Sequence, residues 1–131
     1  SIESVTKKEF TESDIMLAKF GTAVISDVKS NAILLVSTTK TGFATVGVGP
    51  GQTSRVEAVR IAARRAGDRA KGSMMISDAF FPFRDGIDTA NEIGVESIVQ
   101  PGGSMRDSDS ISAADEHDMS MIFTNRRLFL H

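Results

Sequence analysis

Apolar runs separated by polar turns predict a helix followed by a two-stranded hairpin near the amino terminus. Thr11 with the acidic residues after it is typical of a helix start, and we expect this helix to extend to about Ala23. Residues 32–36 are wholly apolar between polar neighbours, which predicts a short strand buried on both faces. Residues 38–42 are then a predicted turn, and residues 43–48 a second strand.

The clearest helical pattern follows a break rich in glycine and proline at residues 49–52. Apolar residues recur three and four positions apart and form one narrow stripe of mostly small side chains: Val56, Val59, Ala63, Ala66 and Ala70. Small residues on the buried side let a helix lie close to a sheet. The arginines fall mostly on the rest of the helix, which is either a solvated surface or an interface in an oligomer: Arg55, Arg60, Arg64, Arg65 and Arg69.

The remainder of the chain alternates strands and helices after an extended lead-in at residues 1–10. The predicted strands are residues 73–76, 95–99 and 119–123, and the predicted helices are residues 84–93, closed by Gly94 as a left-handed cap, and 108–117. The predicted fold class is α/β. We expect residues 1–131 to form a single three-layer α/β/α domain, whose mixed sheet begins with a hairpin and continues through parallel crossovers.

Composition narrows the classes of function. The chain has 131 residues, which corresponds to one domain, and a net charge of −2, which does not favour a nucleic-acid partner. No apolar run is long enough to cross a bilayer, and the first residues lack the basic and apolar regions of a signal peptide. There is no cysteine, so disulfides and thiolate metal sites are excluded. We therefore expect a cytoplasmic protein without a membrane partner.

Candidate chemistry lies where predicted strands end. In an open α/β sheet, ligands bind beyond the carboxyl ends of the strands. Four segments at or beside such ends concentrate glycine, hydroxyl, amide, arginine and aromatic residues: 47–55, 77–85, 100–104 and 124–131. Rings for stacking, arginines for a phosphate and a carboxylate for an amino-substituted heterocycle would suit a planar anionic ligand.

Several of these residues also have structural interpretations. Arg55 at a helix start opposes the helix dipole, which either a bound anion or a salt bridge would explain. Asp85 either serves a ligand or caps the helix that follows it. Of Phe80, Phe81 and Phe83, at least one ring is expected in the core. Structural roles are also predicted for the loop glycines, for His117 near a helix end, and for the methionines as core residues: Met74, Met75, Met105, Met119 and Met121.

Zinc chemistry of the deaminase kind is excluded by the residues themselves. Zinc deaminases with a related three-layer architecture need a His-x-Glu pair and two cysteines to hold the metal. This chain has no cysteine, and its two histidines are far apart in sequence. A serine–histidine–acid triad cannot be assembled from the sequence either.

Five motifs resemble the AICAR transformylase family in content and order: residues 28–32, 49–56, 77–85, 100–104 and 124–131. The resemblance runs from about Thr11 to the last residue, and residues 77–85, Ser-Asp-Ala-Phe-Phe-Pro-Phe-Arg-Asp, are its most specific part. In that family the transformylase is usually fused to IMP cyclohydrolase. The chain is similar to the C-terminal half of the transformylase portion.

This resemblance implies a cytidine-deaminase-like fold without zinc. It also implies transfer of a formyl group from the co-substrate 10-formyltetrahydrofolate to the amine of AICAR, in the synthesis of IMP. The family's transformylase has two such domains in tandem, with sites at a homodimer interface. Residues 1–131 resemble the second domain. The implied partners are AICAR, folate, and either further copies of the chain in a homo-oligomer or a preceding transformylase domain.

The resemblance also implies roles for individual residues. Those matched to polar groups at the reacting centre are Asn31 and His131. Those matched to nucleotide contacts are Arg55 and Arg127, with Arg127 on the phosphate. Phe80 and Phe129 correspond to the rings beside the AICAR base, with Pro82 in the same loop. Asp85 corresponds to the carboxylate that recognises the pterin, and a structural potassium ion is implied near Val28, Ser30 and Asp78.

One departure from the family leaves two hypotheses open. The family's Lys-His pair at the reacting centre belongs to the preceding transformylase domain, and nothing in this chain matches it, because His117 does not follow a lysine. The chain is therefore either one part of a formyltransferase whose site needs another domain, or a non-catalytic folate- and nucleotide-binding module or inactive relic of the enzyme.

Overall fold

The computed structural model of the protein describes residues 3–125. Its elements, in chain order, are β1 (Glu3–Ser4), α1 (Glu12–Ile25), β2 (Ile33–Thr39), β3 (Gly42–Gly49), α2 (Arg55–Ala66), a short 3-10 helix (Gly67–Ala70), β4 (Met74–Ser77), α3 (Asp85–Glu92), β5 (Ser97–Gln100), α4 (Asp107–Glu116) and β6 (Ser120–Phe123). Each predicted helix and strand is present, with ends within a few residues of those expected.

The strands form one mixed sheet in the order β1-β6-β5-β4-β2-β3. Strands β4, β5 and β6 are parallel, while β2 is antiparallel to both β3 and β4, so β3 runs in the same direction as β4. The predicted hairpin and parallel crossovers are confirmed. The lead-in at residues 1–10 was incompletely predicted, because Glu3 and Ser4 form an edge strand opposite Phe123 and Ile122. Two polar residues carry no strand periodicity, so only the pairing reveals β1.

Helix α1 covers one face of the sheet. Thr11 and Asp14 form a capping box, in which each side chain accepts a hydrogen bond from the other residue's backbone N–H. Buried residues of the helix, among them Leu17 and Ile25, pack against apolar side chains that β2 and β4 present to this face. None of the helices in the described part of the chain is long and apolar enough to cross a membrane.

Helices α2, α3 and α4 cover the opposite face, and α2 packs very closely on β3. A Cβ atom on Gly47 or Gly49 would overlap the carbonyl oxygens of Ala62 and Ala58 respectively. The buried side of α2 consists of Ala58, Val59, Ala62 and Ala66, together with Arg55. The predicted stripe was therefore wrong at Val56 and Ala63, which are half-buried. Compared with the prediction, α2 is rotated about its axis, because its small residues must face Gly47 and Gly49.

The interior contains most, but not all, of the residues predicted for it. Phe81 and four of the five methionines named above are buried. Met105 was wrongly predicted as a core residue: it precedes α4 in a turn and is fully exposed. Its loop is held instead by Asp107, whose carboxylate accepts hydrogen bonds from the N–H groups of Gly103 and Ser104.

Candidate ligand-binding site

The strand directions bring several chain segments to one edge of the sheet. The carboxyl ends of β3, β4, β5 and β6 all reach this edge, because these four strands run in the same direction. The amino end of β2 lies there too, since Ile33 is opposite both Gly49 and Ser77. Loops that are far apart in sequence therefore leave the sheet side by side, as expected for the ligand-binding edge of an α/β fold.

A pocket of about 470 Å³ opens at this edge. Its lining comes from the residue two before β2, from the first turn of α2, and from the loop after β4: Asn31, Thr53, Ser54, Arg55, Val56, Ala79, Phe80, Pro82, Phe83 and Asp85. The structure thus brings together five residues singled out from the sequence, Asn31, Arg55, Phe80, Pro82 and Asp85. Loop 100–104 lies at the same edge but is not part of this lining.

Arg55 is held at the pocket by a buried ion pair. Its Nη1 lies 2.8 Å from Asp78 Oδ1, and the two side chains are 7% and 0% exposed. The same nitrogen donates to Ser77 Oγ at 2.9 Å and to the Ala32 carbonyl at 3.1 Å. Burial lowers the pKa of Arg55, while the negative charge of Asp78 raises it. Of the two explanations for a cation at this helix start, the structure shows the salt bridge.

One nitrogen of Arg55 has no such partner. Its Nη2 is buried and makes no hydrogen bond with any described residue. A buried guanidinium N–H without an acceptor is costly, so this atom is the most conspicuous unmet hydrogen-bonding requirement at the pocket. An acceptor atom on a bound ligand would satisfy it.

Asp78 also fixes the segment that carries Asn31. Its Oδ2 accepts a hydrogen bond from the Ala32 N–H at 3.0 Å, and its own N–H donates to the Ala32 carbonyl at 3.3 Å. The Asn31 carbonyl accepts from the Gln52 N–H at 3.1 Å, which ties the segment to the loop before α2. The half-buried Asn31 side chain makes no hydrogen bond with a described residue, so its amide remains able to bind a ligand.

The three phenylalanines of the loop after β4 have three different environments. Phe81 is 1% exposed and packs on Gly86, where a Cβ atom would lie 2.6 Å from Phe81 Cε1. Phe80 is half-buried in the pocket lining. Phe83 is 56% exposed, with the Arg106 guanidinium 5.5 Å from its ring centroid. The expectation that at least one ring belongs to the core is confirmed, and it is Phe81.

Asp85 is an exposed carboxylate at the rim of the pocket. It is the first residue of α3, whose N-cap is Arg84 with no side-chain capping bond, so Asp85 is not the cap. Its Oδ1 accepts a hydrogen bond from the Gly86 N–H at 2.9 Å. Its Oδ2 makes no hydrogen bond within residues 3–125 and remains able to accept one from a ligand.

The residues matched to the potassium site are Val28, Ser30 and Asp78. Val28 and Ser30 are half-buried, and Asp78 is fully buried with its charge already balanced by Arg55. No group of three or more histidine or acidic side chains that could hold a metal ion occurs in the described part of the chain. The potassium ion therefore stays an expectation, and no step below depends on it.

A second polar cluster joins α3 to α4 outside the pocket lining. Arg84 donates to both oxygens of Asp88 and lies 2.6 Å from Glu116 Oε2 through Nη2, and His117 Nε2 lies 2.8 Å from Asp88 Oδ1. Hydrogen bonds from Arg84 lower the pKa values of both carboxyl groups. His117 thus has the structural position expected of it. The cluster could not be predicted from the sequence, because Glu116 and His117 belong to a different helix from Arg84 and Asp88.

Part of the pocket lining belongs to segments 47–55 and 49–56 but received no role residue by residue from the sequence. Thr53, Ser54 and Val56 line the pocket because the first turn of α2 faces the loop after β4. The only signal for them is the hydroxyl-rich helix start, which is common in proteins. Three residues predicted for the site, Arg127, Phe129 and His131, lie outside the described residues.

Two comparisons with known proteins bear on this fold and site. The model of the AICARFT/IMPCHase bienzyme family matches residues 1–65, a stretch that includes Asn31 and Arg55. Acinetobacter baumannii RibD has a similar structure, with a TM-score of 0.51 and 15% sequence identity over 82% of this chain. The chain spans 32% of that RibD chain. At this identity the likeness concerns the fold alone, which is the cytidine-deaminase-like fold.

Proposed function

Because this chain belongs to the AICARFT/IMPCHase family of purine biosynthesis, we propose that it supplies one part of a composite site for formyl transfer from 10-formyltetrahydrofolate to AICAR. The observation that carries the proposal is the pocket at the carboxyl edge of the sheet. An amide, a guanidinium, an aromatic ring and a carboxylate line it together, on Asn31, Arg55, Phe80 and Asp85. Its volume of about 470 Å³ is in the usual range for sites that bind small molecules.

The reaction needs orientation and charge stabilisation more than a strong base. The AICAR amine is a weak nucleophile because its electron pair is delocalised into the imidazole and carboxamide. In the transfer, this nitrogen bonds to the formyl carbon and gives up a proton, and the bond from that carbon to N10 of the folate breaks as N10 gains a proton. A tetrahedral intermediate with a negative oxygen lies between these two steps.

Asn31 is placed to serve that intermediate. Its backbone is fixed through Ala32 and Gln52, whereas its side-chain amide has no partner in the described part of the chain. A fixed donor that needs no reorganisation is what stabilises a developing oxyanion best. The same amide could instead hold the carboxamide of AICAR. His131 would assist orientation or proton movement in this proposal, as the family resemblance implies.

The other lining residues suit recognition of the two substrates. The open Oδ2 of Asp85 can accept hydrogen bonds from the ring N–H and exocyclic amine of a pterin, and such charge-assisted bonds are about twice as strong as neutral ones. Phe80 offers a ring for the AICAR base, with Pro82 beside it. Arg55, through Nη2, offers a donor to an acceptor on the nucleotide. Arg127 and Phe129 would complete the nucleotide contacts.

The proposal predicts that catalysis requires a second domain, because the family's Lys-His pair has no counterpart here. Formyl transfer should be measured with this chain alone and with a preceding transformylase domain added. Turnover is expected only in the mixture. If the mixture is inactive while the chain binds folate, the chain is a binding module; if it binds neither folate nor AICAR, the proposal fails.

Asp85→Asn tests the assigned contact with the folate in the same assay. We expect kcat/KM of the mixture to fall by about 10- to 100-fold, because a hydrogen bond to a charged group contributes about 1.5–3 kcal/mol. Asp68→Asn is the matched control, since Asp68 is an exposed acid that is absent from the pocket lining. An Asp85→Asn variant as active as this control would remove Asp85 from the site.

A further inference from the structure

We infer that Asp78 is the positioning residue of the pocket and acts on a bound ligand through Arg55 and Asn31, an inference that rests on the proposed function. Asp78 itself is not in the pocket lining and is completely buried. Its carboxylate joins three segments that meet there: the residues before β2, the start of α2 and the end of β4.

The two carboxylate oxygens have separate tasks. Oδ1 binds Arg55 Nη1, and Oδ2 binds the N–H of Ala32, the residue next to Asn31. Arg55 Nη1 also donates to the Ala32 carbonyl, so one carboxylate and one guanidinium hold both sides of the same peptide segment. The charge on Asp78 therefore sets where both the guanidinium and the Asn31 amide lie.

This arrangement leaves one guanidinium nitrogen for the ligand. Asp78, Ser77 and Ala32 all accept hydrogen bonds from Nη1, so the planar guanidinium of Arg55 has a fixed orientation. Its Nη2 is buried and has no acceptor. Preorganised donors of this kind bind a ligand without the cost of being ordered first. Neutralising Asp78 removes the main restraint on this orientation.

Asp78→Asn is the informative substitution, because it keeps the side-chain shape but has a single acceptor oxygen. The amide oxygen can take the place of only one of the two carboxylate oxygens, so either Arg55 or Ala32 loses its hydrogen bond to residue 78. We expect the dissociation constant for AICAR, measured by calorimetry on the full chain, to rise by about tenfold, which is within the range of coupling energies in hydrogen-bond networks. Asp68→Asn, which is exposed and outside the lining, should bind like the wild type.

A double-variant comparison separates positioning from a general structural role. If Asp78 acts through Arg55 and Asn31, then Asp78→Asn added to the double variant Arg55→Met/Asn31→Ala weakens AICAR binding no further than that double variant alone. Losses that multiply would overturn the inference, as would wild-type affinity in Asp78→Asn. Should Asp78→Asn alone fail to fold, the double variant and the triple variant still decide the question, since the triple variant carries neither of the two buried charges.

Failure of the proposed function can be distinguished from failure of the inference about Asp78. If the wild type binds neither AICAR nor folic acid, that function is refuted, and the inference is decided by NMR instead. In Asp78→Asn, the Ala32 amide should exchange with solvent about tenfold faster, or the Arg55 guanidinium resonances should shift, while amides of β5 and β6 stay unchanged. Unchanged signals from both Ala32 and Arg55 would overturn the inference.

Discussion

Gly49→Ala tests the close packing that brings α2 to the pocket. The added Cβ would overlap the carbonyl oxygen of Ala58 and lie 2.9 Å from its carbonyl carbon. Both are backbone atoms of α2, so no flexible side chain can move aside. Because carbon atoms pack at about 3.5–4.0 Å, the helix has to retreat from β3 by about 1 Å.

The loss in the free energy of unfolding follows from the contacts between α2 and β3 that the displacement weakens. A gap of about 0.5–1 Å forfeits a quarter to a half of the dispersion energy of the atoms across it, and Ala58, Ala62 and Ala66 all lie at this contact. With the usual cost of overpacking, the variant should lose about 3 kcal/mol of the free energy of unfolding. For a chain of 131 residues this corresponds to a melting temperature lowered by about 10 °C.

Thermal unfolding followed by circular dichroism measures this loss, with Thr45→Ala as the matched control. Thr45 lies on the same strand but is exposed, so its truncation should change the melting temperature by no more than about 2 °C. Because Arg55 is the first residue of α2, Gly49→Ala should also weaken AICAR binding. A variant that melts like the control would refute the close approach of α2 to β3.

Two further predictions concern other parts of the structure. Phe81→Ala should cost about 3–5 kcal/mol because its ring is fully buried, whereas Phe83→Ala, at an exposed position, should leave the melting temperature nearly unchanged. Arg84 lowers the pKa values of Asp88 and Glu116 in the folded protein. Its stabilising effect is therefore fully present above the pKa values of these carboxyl groups in the unfolded chain, which are about 4, and it is lost as the pH falls through their lower pKa values in the folded protein. Arg84→Gln should therefore melt lower than the wild type at neutral pH, and this difference should shrink in melts taken towards about pH 2.

Much of the architecture was predictable because local patterns and tertiary contacts agree. The apolar run at residues 32–36 became a strand buried on both faces, and Thr11 became the cap of α1 with its partner Asp14. Alternation of strand and helix then left few ways to connect parallel strands. Elements with such signals are found where they were expected.

The rotation of α2 could not be predicted from its own sequence. The predicted stripe through Val56 and Ala63 and the buried stripe through Arg55 and Ala62 are offset by one residue, and both contain mostly small side chains. Contact with Gly47 and Gly49 on another element decides between them. The same rotation buries Arg55, which the sequence alone allowed to bind either an anion or a carboxylate.

The edge of the sheet at which the site lies could be predicted from the sequence, but the residues that line the pocket there could not. Strand ends located loops 47–55 and 77–85, which line the pocket, yet the same rule also indicated loop 100–104, which does not. The rule places loops on an edge that is several strands wide, whereas a pocket occupies only part of it. Asp78 was singled out only through the resemblance, near the implied potassium site, and its pairing with Arg55 could not be predicted because the sequence does not show which residues a buried aspartate contacts.

The two ionic clusters, Arg55 with Asp78 and Arg84 with Asp88 and Glu116, carry similar charges but differ in burial. Arg84, Asp88 and Glu116 remain partly exposed, so water and salt screen them and their removal should alter stability mainly through pH. Arg55 and Asp78 are desolvated, and a buried ion pair of this kind is weak evidence for stability because desolvation offsets most of its attraction. Under the proposed function, this ion pair fixes a guanidinium with one nitrogen unsatisfied at the pocket, and it prepares that group for a ligand.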